Sequence, residues 1–100
     1  MNVDYVKLMA ANEVLRSGEV NYKALKYVTD YLEALAQVIP AEARKFEANQ
    51  AIFAVPYLKE NPGSIVARDA ICPFIDSIVT KSGKIDPATL TIQVKDEEGK

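Results

Sequence analysis

Leu25, Val28, Leu32, Leu35 and Ile39 stand at spacings of three and four. That period puts all five side chains on one stripe of an α-helix and gives the seam that packs knobs into holes. Asn21 precedes the run as an N-cap residue, so the helix is expected to extend from there to about Val38. Ala24, Tyr31, Gln37 and Val38 form a second row beside the seam, which broadens the face to be covered. A helix of this kind cannot bury its stripe alone, so further helices must supply the other wall.

The remaining chain offers three. Residues 3–17 carry Val3, Val6, Ala10 and Val14 in one row and Leu8, Ala11 and Leu15 in another, with Asn2 or Asp4 as cap and Gly18 as stop. The short "SGEV" connection folds this helix back on the second as an antiparallel hairpin. "VIPAEARKF" opens a third helix with Pro40 at its first position, where a missing N–H costs nothing. Ala43, Phe46, Gln50 and Phe53 line one side of it and Ala48, Ile52 and Val55 another, and "KENPGS" ends it in a turn. Ser64 caps a fourth helix with the stripe Ala67, Ile71, Phe74 and Ile78, and Gly83 stops it. After Gly83 the period falls to two. Leu90, Ile92 and Val94 alternate with polar neighbours over residues 89–95, which predicts a strand. The expected architecture is all-α: a small four-helix bundle over residues 1–83, a C-terminal turn and short β-strand over 84–95, and a disordered tail over 96–100.

Pro56 and Pro73 fall inside the third and fourth helices, in the similar contexts "AVPYLK" and "ICPFID". A proline removes one helical hydrogen bond and crowds the carbonyl four residues back, at about 3 kcal/mol each. The two helices are therefore expected to be kinked or broken there. The structural reading is that the bends wrap the helices around the core. The functional reading is that they open the carbonyls of Ile52 and Asp69 into a groove.

Composition narrows the chemistry. Of 100 residues, 49% are hydrophobic and 26% charged, enough apolar material for one modest core. Histidine is absent and Cys72 is the single cysteine, which removes the commonest acid–base group, the commonest metal ligand and any internal disulfide. Neither a Ser–His nor a Cys–His pair can be assembled. The four glycines sit at turns rather than in a phosphate loop. Glu42 with Glu47, or Asp69 with Asp76, are the available carboxylate pairs, and both read as solvated edges. "CP" at 72–73 matches a haem-ligating dipeptide, but a buried Cys72 filling core space is the better reading. No catalytic residue, metal or cofactor is predicted, and the chain reads as no enzyme.

Twelve Lys and Arg face 14 Asp and Glu, a net charge of −2, which disfavours phosphate-driven nucleic-acid binding. The N-terminus lacks a signal pattern and the longest uncharged apolar run, "ANQAIFAVPYL", is too short to span a bilayer, so a soluble, cytoplasmic protein is expected. Five tyrosines and no tryptophan are present. Tyr22, Tyr27 and Tyr31, with Lys23 and Lys26, make a Tyr/Lys surface, and Tyr is favoured at protein interfaces. Together with Leu90, Ile92 and Val94, whose lone strand needs a mate, these residues predict a small interaction or assembly subunit that works through a protein partner or its own copies. The competing reading is a nucleic-acid-associated regulator with a helix-turn-helix around residues 37–50, which requires Lys23, Lys26, Arg44 and Lys45 on one face.

Overall fold

The computed structural model describes residues 4–82, and their side chains through Val79. Four helices succeed one another: α1 Tyr5–Arg16, α2 Tyr22–Val38, α3 Phe46–Glu60 and α4 Ile65–Ser82. Among the described residues there is no strand; the strand expected at 89–95, with Leu90, Ile92 and Val94, lies outside them, as does the tail at 96–100.

Local chemistry sets most boundaries. Asp4 is extended and its carboxylate accepts from the N–H groups of Val6 and Lys7 at 3.1 Å, satisfying two donors that a helix start leaves unpaired. The other end of α1 is closed by Gly18 at φ +92, a left-handed turn position open to glycine, with its N–H donated to the Leu15 carbonyl at 3.0 Å. Asn21 caps α2 through the Ala24 N–H at 3.0 Å, and Ser64 caps α4 through that of Ala67 at 3.1 Å. α2 stops because Ile39 precedes a proline and is held extended.

The third helix begins six residues later than its sequence suggests. Pro40 has the φ of a helix start, −65, but ψ is 155, and the chain makes a 3₁₀ turn at Ala41–Ala43 before returning to extended backbone at Arg44 and Lys45. The proline ring fixes φ alone and leaves ψ to the surrounding packing, and here Arg44 is carried inward to a site only 6% exposed. The Asn49 side chain donates to the Ala41 carbonyl at 3.1 Å and ties the turn to α3.

α3 and α4 both run unbroken through their prolines. Pro56 and Pro73 are exposed, so the carbonyls they leave without a helical donor, those of Ile52 and Asp69, sit on faces that water can reach. Opening a helix on its outer face is also the sense in which surface helices curve around a core.

Each helix packs on the next in sequence, and α1 closes the ring against α4. Connections of a few residues make neighbours antiparallel, and the contacts agree: Asn12 meets Cys72 while Leu15 meets Arg68. The α2 seam fills the centre, with Val28, Leu32 and Leu35 fully buried, Leu25 nearly so and Ile39 half-buried at the end. Ala67, Ile71, Phe74 and Ile78 of α4 are buried as their stripe predicts, joined by Cys72, Ile75 and Val79, because α4 is flanked by both α1 and α3. Two faces resolve differently from the alternatives in the sequence. α1 turns Leu8, Ala11 and Leu15 inward with Asn12, leaving Val6 exposed. α3 buries Ala48, Ala51, Val55 and Leu58, and its row of Phe46, Gln50 and Phe53 faces out.

Candidate interaction surface

α3 is apolar on both sides, and it places its small residues inward. Ala48 and Ala51 are fully buried, whereas Phe46 and Phe53 are 69% and 72% exposed. A helix inserted between two neighbours needs short side chains where it approaches them closely, so the large rings are turned to the other side. Phe46 and Phe53 are two turns apart and Tyr57, also exposed, stands one turn further along the same face. Gln50 completes the row between them, so its centre carries no charge.

Beside this row a shallow groove of about 440 Å³ runs between α2 and α3, lined chiefly by Ala36, Gln37, Ile52, Phe53, Val55 and Pro56. Glu33 closes it on the α2 side and is held by the Lys59 ammonium at 2.7 Å, an ion pair that links α2 to α3. Val38, at the end of α2, is also exposed. Large contiguous apolar surface on one helix of a small domain is the usual mark of an interface.

The residues singled out by sequence do not gather in one place. Tyr22 is exposed; Tyr27 is half-buried and its hydroxyl donates to the Asp4 carbonyl at 3.3 Å; Tyr31 is 5% exposed and packs edge-on against the Tyr5 ring, centroids 6.5 Å apart at 77°. Tyr31 therefore belongs to the core and not to a solvent-facing tyrosine surface. Burial, reinforced by the neighbouring Tyr5 phenol, pushes its pKa well up, and its hydroxyl has no hydrogen-bond partner among the described residues. Tyr27 lines a separate groove between α1 and α2, about 420 Å³, with Ala10, Ala11 and Val14 on its floor and Lys7 and Lys23 on its rim.

The two prolines also part company. Pro56 and Ile52 line the α2–α3 groove, while Pro73 and Asp69 line a smaller one of about 140 Å³ between α1 and α4, with Arg16, Arg68 and Cys72. Cys72 is buried and its thiol pKa is raised by that burial, against the opposing pull of Arg16 and Arg68. A protonated, enclosed thiol is a weak nucleophile. Asp76 is bound to Arg16 at 2.9 Å instead of facing Asp69. Among the described residues, no group of three His, Cys, Asp or Glu converges as a metal set, and no helix is long and apolar enough to cross a membrane.

No known protein family, curated protein or solved structure matches the chain. The surface must therefore be read from its own chemistry. Phe46 and Phe53 were visible in the sequence as one of two apolar rows on the third helix. What the sequence lacked was any sign of which row the neighbouring helices would cover.

Proposed function

We propose that this protein is a non-enzymatic assembly subunit that binds a second copy of itself through the outer face of α3. The observation that carries the reading is the reversed sorting of that helix: Phe46 and Phe53 in water, Ala48 and Ala51 in the core. Keeping rings of this size in water forgoes burial at about 25 cal/mol per Å², a loss that an interface recovers.

A second copy fits the face because a two-fold interface must be complementary to itself. The row Phe46, Gln50, Phe53 and Tyr57 has no charge to repel its own duplicate. The three aromatics offer roughly 300–500 Å² per copy. A stable interface takes about 800 Å² per partner, so Val38, Pro56 and the groove walls must contribute the rest. The expected dimer is weak and depends on concentration.

The nucleic-acid reading gains no support from the geometry. Lys26 is paired with Asp30 at 2.7 Å, Arg44 is buried, and the connection from Ile39 to Lys45 is longer than a helix-turn-helix turn.

Sedimentation equilibrium from low micromolar to millimolar concentration tests the proposal. The wild-type chain is expected to pass from monomer to dimer, and Phe53→Glu to remain a monomer with unchanged helicity. A wild-type chain that stays monomeric throughout, or a Phe53→Glu variant that dimerises equally, overturns it.

A further inference from the structure

Arg16, Lys26 and Lys59 are each paired within the chain, with Asp76 at 2.9 Å, Asp30 at 2.7 Å and Glu33 at 2.7 Å. Lys7 and Lys23 differ. Both are exposed, and neither belongs to an ion pair among the described residues. Both stand on the rim of the groove between α1 and α2. Below them the groove is apolar. Ala11 and Ala24 are buried at its base, Val14 and Tyr27 are half-buried on its walls, and Ala10 is open to solvent. No acidic residue among the described ones lines it.

Two other polar groups of the groove are engaged within the chain. Asn21 Oδ1 accepts from the Ala24 N–H at 3.0 Å, and the Tyr27 hydroxyl donates to the Asp4 carbonyl at 3.3 Å. The second contact bridges α2 to the cap of α1. It holds the Tyr27 ring as a wall before any occupant arrives, which lowers the cost of ordering the site. What the groove offers outward is therefore an apolar floor, about 420 Å³ of space and two positive charges. An uncharged occupant leaves both ammonium groups unmatched, whereas an apolar one that carries carboxylates answers floor and rim together.

We infer that this groove docks an amphipathic helix of a partner protein, with Asp or Glu flanking the apolar stripe of that helix. Two helices joined by a short connection leave a furrow along their length, and a third helix packs a ridge of its side chains into such a furrow. Apolar anchors one turn apart enter over Ala10, Ala11 and Ala24, and the flanking carboxylates meet Lys7 and Lys23. A compact small molecule is the poorer fit, because ligand pockets bury most of their occupant and this groove is open along its top, where Lys7, Ala10 and Lys23 are exposed. The groove shares no residue with the outer face of α3, so the inference stands apart from self-association.

The probe is a synthetic capped helix of about 18 residues with a Leu and Ala stripe flanked by Glu, and its control carries Lys at every Glu position. Each is titrated into the full chain, with backbone amide resonances as the readout. The Glu helix is expected to shift the amides of Ala10, Ala11, Val14 and Ala24, with an affinity that falls as salt is added. Lys7→Glu combined with Lys23→Glu is expected to weaken it about tenfold and to leave the unfolding midpoint in place, since both side chains are exposed. Ala10→Gln, which fills the groove from an exposed position, is expected to weaken it as well. Equal binding of the Lys helix, undiminished binding by the double lysine variant, shifts centred on Phe53 and Tyr57, or no shift at millimolar peptide each overturns the inference. So does binding of phosphatidylglycerol vesicles that depends on Lys7 and Lys23 while the Glu helix does not bind, because the groove then serves a lipid surface. Sedimentation of the Phe53→Glu chain reads the α3 face separately, so failure of one reading is distinguishable from failure of the other.

Discussion

Arg68 holds three parts of the chain at one point. Its guanidinium adds to the Gly18 N–H on the Leu15 carbonyl at the end of α1, where the helix dipole is negative. The same group reaches Glu19 in the α1–α2 connection and Pro62 in the α3–α4 turn. Arg68→Ala removes this donor from the Glu19 and Pro62 carbonyls, leaves Leu15 with the Gly18 N–H alone and opens a cavity, and is expected to cost about 3–5 kcal/mol in denaturant unfolding. Arg68→Lys recovers only part of the loss, since one ammonium cannot span acceptors that the planar fork reaches together; complete rescue by lysine would show that charge alone matters. Tyr31 makes the opposite bargain, with its ring in the core and its hydroxyl without a partner among the described residues. Its pKa in the fold is raised above the unfolded value of 10.0, chiefly by burial. Its contribution is therefore whole below about pH 10 and is lost as pH rises toward the folded value, at about 1.4 kcal/mol per pH unit. Tyr31→Phe is expected to match or exceed wild-type stability at neutral pH and to lack this alkaline decline. Unfolding curves that fall in parallel above about pH 10 would place the Tyr31 hydroxyl in water.

α2 and α3 show how differently two helices announce themselves. α2 has one broad apolar face, and the bundle covers it as the spacing of Leu25, Val28, Leu32 and Leu35 requires. α3 has two apolar rows of comparable strength, and periodicity cannot choose between them. The choice fell to the row with Ala48 and Val55, joined by Ala51, which neither row held, because α2 and α4 both pack against α3, and small side chains permit the closer approach. Pro56 lies on the opposite, solvent side of that helix. Pro56→Ala restores an N–H for the Ile52 carbonyl and is expected to stabilise the chain by about 1–2 kcal/mol. That is less than the roughly 3 kcal/mol difference in helix propensity, because the native helix is already adapted to the proline and the unfolded chain gains freedom. A variant less stable than wild type in the same denaturant titration would mean that the packing of α3 requires the bend.

At the scale of the whole molecule, the ring of four helices was legible in the sequence. The seam on α2, the stripe on α4, the caps Asp4, Asn21 and Ser64 and the stop at Gly18 act through neighbours a few residues away, and such short-range rules leave a readable trace. Three features were not legible, and each depends on residues far apart in the chain. Tyr31 looked like a member of a tyrosine surface until Tyr5 closed over it from α1. Arg44 looked like a surface cation until the α2–α3 connection, extended where a helix was expected, carried it inward. The exposed row of Phe46, Phe53 and Tyr57 results from which side of α3 its neighbours occupy. The sequence by itself determined that the chain makes four amphipathic helices and where most of them start and stop, because propensity, capping and period are local. Only the tertiary structure decided which apolar row meets water, because burial is a property of the neighbours a face acquires and not of the face alone.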